Sequence, residues 1–214
     1  MVKAVIFDMD GVIVDTEKYH EMAYRRVSDI AGSKINDKEV VKLKGVTAVE
    51  IFQYLFKKHN IKKNPKKYAL IKDNVYRSFL KNIRPLPGVL NLLKRLKKKK
   101  IKIALASSGS RLNVQFVLKK LKIKTYFDAV VNGEQVKKGK PNPEIFLKAA
   151  KELKVNPKEC IVIEDAVNGV KAAKKANIYC AAITTTFPRS KLKDADIIID
   201  KLSELDIENL ILNK

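Results

Sequence analysis

The sequence holds no tryptophan and, among 214 residues, only two cysteines, eight glycines and seven prolines. Two cysteines cannot staple a disulfide scaffold. Cys160 and Cys180 each lie in or beside an apolar run, so both are expected as buried free thiols in a reducing, cytoplasmic compartment. No apolar run approaches the ~20 residues of a membrane span, and the first residues lead directly into a short apolar run broken by Asp8, without a signal-peptide core. Acidic residues are also scarce: 23 Asp and Glu stand against 45 Lys and Arg, a formal net charge of +22. Such a surplus suits a nucleic acid, a membrane surface or a small anionic substrate. The lysines, however, are spread over nearly every helical segment, and the one dense run, Lys97 to Lys100, closes a helix, where cations complement the macrodipole. Neither zinc-finger spacing nor a basic motif interleaved with aromatics accompanies the charge, so a nucleic-acid-binding protein is only a remote alternative. No membrane partner is expected, and the sequence carries no signal for the oligomeric state, a monomer being favoured by default.

What is present is an alternation of short apolar runs with amphipathic segments, in a chain that is 46% hydrophobic. The runs 3–8, 101–107, 127–132, 160–165 and 179–184 read as strands, with a sixth at 196–200. Their nearly continuous Val, Ile and Ala content marks strands covered on both faces, hence a parallel sheet. Between them, Val89, Leu92, Leu93 and Leu96 share one helical face behind a Leu-Pro-Gly turn. From about Glu17 to Asn82 the pattern is helical throughout, with helices expected near 17–31, 37–43, 47–58 and 66–82. The fold class is therefore α/β, a Rossmann-like parallel sheet core with an inserted helical cap. The expected division is 1–15 and 83–214 for the core and 16–82 for the helical insertion.

The polar residues with chemical potential fall at strand ends, where open α/β sheets bind ligands. Asp8 and Asp10 follow the first strand, Ser107 and Ser108 the second, and Glu164 and Asp165 the fourth; Lys140 sits in the loop after the third. An Asp-x-Asp pair at a strand end starts with both side chains on one side of the backbone, and Gly11 permits a sharp turn behind them. Carboxylates converging on a small volume raise one another's pKa unless a cation intervenes, and an all-oxygen ligand set without His or Cys points to Mg²⁺. An ionised Asp8 can then attack phosphorus, with Ser107 and Lys140 as hydroxyl and cation for the phosphoryl oxygens. Asp10 is placed to protonate the leaving oxygen and to deprotonate the incoming nucleophile. Singly, each feature has a plainer reading: a turn with an Asp cap, a helix-capping serine or acid, a solvated lysine. Four of them at the strand ends of one sheet are harder to attribute to chance. The stretch Gly133 to Pro141 is not a P-loop, since five residues separate its glycines and proline follows the lysine.

The ordered set "FDMDGVIVDT", "ALASSGS", "GKPNPEIF" and "IEDAVNGVKAA" resembles the four motifs of the haloacid dehalogenase-like hydrolases, in the branch of β-phosphoglucomutase and the sugar-phosphate phosphatases. The resemblance implies Asp8 as nucleophile and metal ligand, and Asp10 as acid/base with its carbonyl on the metal. It further implies Asp165, with Glu164 beside it, as the remaining ligands, and Ser107, Ser108 and Lys140 at the phosphoryl group. Retention of Asp10 and Asp165 argues against metal-independent dehalogenation. The helical insertion resembles the family's mobile cap, with Thr16 and His20 at hinge and acid/base-positioning places, and Lys44, Gly45 and Thr47 in a loop that contacts substrate. Where the mutase carries an arginine after that loop, this chain has Ala48. A mutase must grip a second phosphate, for which arginine is the planar clamp. The expected activity is therefore hydrolysis of a small phosphorylated metabolite by a Mg²⁺-dependent phosphatase, with a phosphosugar mutase as the alternative.

Overall fold

The computed structural model describes residues 1–32 and 46–212. Six strands form one parallel sheet: β1 (Ala4–Phe7), β2 (Lys102–Ala106), β3 (Ala129–Val131), β4 (Cys160–Glu164), β5 (Tyr179–Ile183) and β6 (Ile197–Ile199), in the spatial order β3-β2-β1-β4-β5-β6. All six runs anticipated from the apolar pattern are strands, each trimmed at one or both ends. β1 occupies the middle, with Phe7 level with Leu105 of β2 on one side and Ile163 of β4 on the other. That register brings the residues following β1 and β4 together at one edge.

The period of two along the strands assigns their side chains to two cores. Val5, Phe7, Ile103, Leu105, Ile161 and Ile163 pack on one face with α4 (Val89–Lys98) and α5 (Arg111–Lys120). Ala4, Ile6, Ala104, Ala106, Val162 and Cys180 face the opposite way, against α6 (Glu144–Leu153) and α7 (Val167–Lys175). On this second face the alanines leave room for Phe146 and Ile145 to approach the sheet closely. The stripe Val89, Leu92, Leu93 and Leu96 is buried as its spacing requires. Cys160 and Cys180 are buried free thiols, and burial pushes the Cys160 thiol up to about 12. The described chain closes with a short helix, α8 (Ile207–Leu212).

Between β1 and α4, the described residues form three further helices, α1 (Glu17–Ala31), α2 (Ala48–Lys58) and α3 (Pro65–Phe79). Gly32, with φ +75°, ends α1 in the left-handed conformation; a Thr47–Glu50 capping box opens α2, and Asn64 followed by Pro65 opens α3. Tyr24, Val27, Phe52, Leu55 and Phe56 give these helices a small core of their own. The segment expected as a helix at 37–43, and the expected site residues Lys44 and Gly45, lie outside the described residues. No described helix is long and apolar enough to cross a membrane. The chain leaves and re-enters the sheet layer side by side, since Val14 bridges Pro85 and Leu86 donates to the Ile13 carbonyl at 2.8 Å.

Because Leu93 is fully buried on the α4 face, Leu93→Ala is expected to cost about 2–5 kcal/mol through lost burial and an unfilled cavity. Chemical denaturation should show a lower midpoint with an unchanged slope.

Candidate active site

The turn after β1 starts the site. Asp8 continues the strand hydrogen bonding, its N–H donating to the Ile163 carbonyl at 3.0 Å, and the chain then reverses tightly, with Gly11 N–H donating to Val14 at 2.8 Å. Gly11 adopts φ +77°, and a Cβ there would overlap the Asp165 carboxylate, so glycine answers both a backbone and a steric demand. Met9, Val12 and Ile13 anchor the turn in the core, which leaves Asp8 and Asp10 at the sheet edge.

Asp8, Glu164 and Asp165 are all buried, and each offers an oxygen within 4.8 Å of the others'. Lys140, 2% exposed, lies among them, its Nζ donating to Asp8 Oδ1 and to Glu164 Oε1, both at 2.5 Å. The reading of Lys140 as a solvated loop lysine is therefore excluded. The other Glu164 oxygen accepts from the N–H groups of Asp165 and Ala166 at 2.7 Å. Glu164 thus ties down the backbone leading into α7 without capping it, since the N-cap residue is Ala166 and has no side-chain cap. A Cβ at Gly169, one turn into that helix, would overlap the same carboxylate.

Charge accounts for the ionisation of this group. Burial raises Asp8 well above the usual carboxylate range, against the pull of Lys140, and burial with Glu164 and Asp8 as neighbours does the same to Asp165. For Lys140 burial works downward, but the two carboxylates outweigh it and the ammonium is retained. Three carboxylates against one ammonium leave two negative charges over if all four groups are ionised. A small, all-oxygen, buried pocket with that surplus fits a hard divalent cation.

Asp10 does not join this triad and turns toward the helices. Its Oδ1 accepts from the Thr16 hydroxyl, from His20 Nε2 at 3.3 Å and from the Tyr76 hydroxyl at 3.4 Å. Burial pushes the Asp10 carboxyl up, but His20, Thr16 and Lys72 together prevail and hold it below its ordinary value. Lys72 Nζ lies 2.7 Å from His20 Nδ1. An ammonium there can only donate, which assigns the imidazole proton to Nε2, facing Asp10. Tyr76 stacks on the other side of the imidazole, with centroids 3.9 Å apart.

A cavity of about 700 Å³ opens over these groups. The sheet side contributes Asp8, Asp10, Glu164, Asp165 and the turn Ser108 to Ser110; the helices contribute His20, Thr47, Ala48, Glu50, Lys72 and Asp73. Ser107 is 1% exposed and its hydroxyl accepts from the Gly109 N–H at 3.1 Å. It does not cap the next helix, since Ser110 does so for α5. Of the expected residues described, the structure gathers Asp8, Asp10, Ser108, Glu164, Asp165, His20 and Thr47 on one cavity, with Lys140, Thr16 and Ser107 behind it. Lys72, Asp73 and Tyr76 were not foreseen. Their signal was in the sequence: Ala69, Lys72, Asp73 and Tyr76 share the buried face of α3, and a Lys-Asp pair on such a face asks for polar partners.

A family model for haloacid dehalogenase-like hydrolases matches residues 5–183. The chain is 38% identical over 177 residues to a phosphorylated carbohydrates phosphatase of Thermotoga maritima, covering 82% of each protein. It is 36% identical over 216 residues to the β-phosphoglucomutase of Bacillus subtilis, covering 97% of this chain and 93% of that protein. Among solved structures, a β-phosphoglucomutase from Clostridium difficile superposes with a TM-score of 0.89 at 36% identity, over 98% of this chain and 96% of that one. With β2 to β5, all but the first residue of β1 and the acidic strand-end cluster inside the matched span, the chain belongs to the haloacid dehalogenase-like hydrolases.

Proposed function

We propose that the protein is a Mg²⁺-dependent phosphatase that hydrolyses a small phosphomonoester, a phosphorylated sugar or related metabolite, through an aspartyl-phosphate on Asp8. The observation that carries this reading is the buried group of Asp8, Lys140, Glu164 and Asp165 facing a cavity roofed by helices. Similarity to a carbohydrate phosphatase supports the substrate class. Asp8, Glu164 and Asp165 would hold the cation, with the Asp10 carbonyl as a further oxygen. When bound, it would balance the surplus negative charge and draw phosphoryl oxygens toward the nucleophile.

Lys140 fixes Oδ1 of Asp8 and leaves the second oxygen to attack phosphorus, while its ammonium offsets phosphoryl charge. The alkoxide leaves as an alcohol by taking a proton from Asp10; water then attacks the phosphorus of the aspartyl-phosphate, gives its own proton to Asp10, and releases phosphate and the Asp8 carboxylate. The donors on Asp10 Oδ1 favour its carboxylate, the form required for the second half; the first half needs the protonated form in the substrate complex. Ser108 lines the phosphoryl side with Ser107 behind it, and the helical unit acts as a cap, with Thr16 and His20 orienting Asp10 and Thr47 on the substrate side. Excluding water strengthens each of these electrostatic contacts.

A phosphosugar mutase is the second reading, favoured by the similarity to β-phosphoglucomutases over nearly the full chain. Against it, Ala48 lines the cavity where a clamp for a second phosphate would stand.

Three outcomes follow from the site. Asp8→Asn should lower turnover by at least ~10³-fold with the fold unchanged by circular dichroism; substantial residual turnover would contradict the nucleophile assignment. β-Glucose 1-phosphate, with Mg²⁺ and with or without a sugar bisphosphate, should release inorganic phosphate, whereas its conversion to glucose 6-phosphate without phosphate release would establish the mutase. The third outcome concerns stability. A raised carboxyl pKa stabilises the folded state only at low pH, and that contribution is lost as pH rises through the raised value. Asp165→Asn should therefore melt higher than the metal-free wild type at neutral pH, by about 2–4 °C per kcal/mol relieved. The difference should shrink toward pH 4, and the Mg²⁺-induced rise in melting temperature should disappear.

A further inference from the structure

We infer that Glu50 is a positioning residue that latches the helical unit onto the loop bearing Lys140. The inference takes its kinetic meaning from the phosphatase reading, and its structural part stands without it. Glu50 is the third residue of α2 and completes the capping box: its N–H donates to the Thr47 hydroxyl at 3.4 Å, and its Oε2 accepts from the Thr47 N–H at 3.1 Å and the Thr47 hydroxyl at 2.6 Å. A capping box needs only one carboxylate oxygen. The other, Oε1, crosses to the sheet side and accepts the Gly139 N–H at 3.1 Å, 89 residues away in sequence.

The receiving loop is built for this contact. Lys137 and Lys138 give their N–H groups to Glu144 at the start of α6, at 2.9 and 3.2 Å, and the Asn142 N–H closes back on the Gly139 carbonyl at 3.0 Å. The loop is thus tied to its own helix on both sides of Gly139, whose N–H turns outward to the helical unit. A Cβ at Gly139 would overlap Glu50 Oε2 and stand 3.3 Å from Thr47 Cγ2, so the absent side chain is the space that Glu50 fills. Gly139 is bonded directly to Lys140, whose ammonium holds Asp8. One carboxylate therefore links the fold of the α2 entrance, the seating of the helices on the sheet and the backbone next to the phosphoryl-binding cation.

If the helical unit must be seated for substrate to bind tightly, the apparent affinity scales with the seated fraction. Loss of the latch then raises KM, while saturating substrate restores seating and kcat. A variant that is merely less well folded loses active enzyme, which lowers kcat at constant KM.

The test compares wild type, Glu50→Ala, Glu50→Gln, Gly139→Ala and the double alanine variant. Gly139→Ala keeps both capping-box residues, but its Cβ meets Glu50 Oε2 and so strains the box as well as the crossing contact. Glu50→Gln, which a capping box accepts, keeps an oxygen for the Thr47 N–H and turns an amide N–H toward Gly139, and it should raise KM in the same way with the box intact. Phosphate release should show KM raised about tenfold with kcat within about twofold in each single variant, and the double variant should be no worse than the poorer single alanine one. Amide hydrogen exchange of the metal-free proteins should be faster over residues 47–58 in Glu50→Gln, where the capping box is kept, than in wild type. Unchanged KM in Glu50→Gln or Gly139→Ala, a fall in kcat at constant KM, additive effects in the double variant, or unchanged exchange over 47–58 would each overturn the latch. Absence of phosphate release by the wild type would defeat the phosphatase reading alone, since the exchange comparison needs no turnover.

Discussion

Lys140 lies in contact with two of three buried carboxylates, and the arrangement of the site depends on that crowding. A carboxylate removed from water is stable only with a partner, and three of them share one ammonium. The sheet creates the problem: β1 lies beside β4, so Asp8, just past β1, meets Glu164 at the end of β4 and Asp165 just past it. Small residues then let the backbone pack around the acids. Gly11 and Gly169 occupy positions where a methyl group would displace the Asp165 or Glu164 carboxylate. A divalent cation would complete the balance, and this links the site's stability to the chemistry proposed for it.

The helical side solves a separate electrostatic problem. Asp10 is only two residues from Asp8, yet its environment runs opposite: Asp8 is raised by burial, whereas Asp10 is held low by donors from α1 and α3 and from Thr16. The two carboxylates thus sit in opposite environments, and the ionised Asp8 that the proposed attack requires depends on Lys140 and on a bound cation to offset its burial. Lys72 and Tyr76 matter because they set the His20 tautomer and its tilt. The helices consequently do more than roof the cavity; they supply the hydrogen bonds that define the state of Asp10.

The legibility of the sequence followed the range of the interactions. Strands buried on both faces announce themselves as Val and Ile runs, and α4 announced itself by Val89, Leu92, Leu93 and Leu96, because burial acts residue by residue. Asp8, Asp10, Glu164 and Asp165 were legible because strand ends locate them without knowledge of strand order. The order itself was not legible: that β1 pairs with both β2 and β4 depends on contacts across about 100 and 160 residues. Glu50 illustrates the same limit, since Thr47-x-x-Glu50 reads locally as a helix cap and nothing nearby in sequence signals its bond to Gly139. Ser107, placed among the phosphoryl ligands by pattern, also supports its own turn through Gly109.

The central claim is that Asp8 becomes phosphorylated during turnover. Acid quenching in the first turnovers with Mg²⁺ and a phosphorylated sugar that the enzyme hydrolyses, followed by borohydride reduction and peptide mass spectrometry, tests it directly, because reduction of an aspartyl-phosphate converts that aspartate to homoserine. The expected result is homoserine at position 8, absent when substrate is omitted and absent in Asp8→Asn. Steady phosphate release with an unmodified Asp8, or homoserine at another aspartate, would contradict the account.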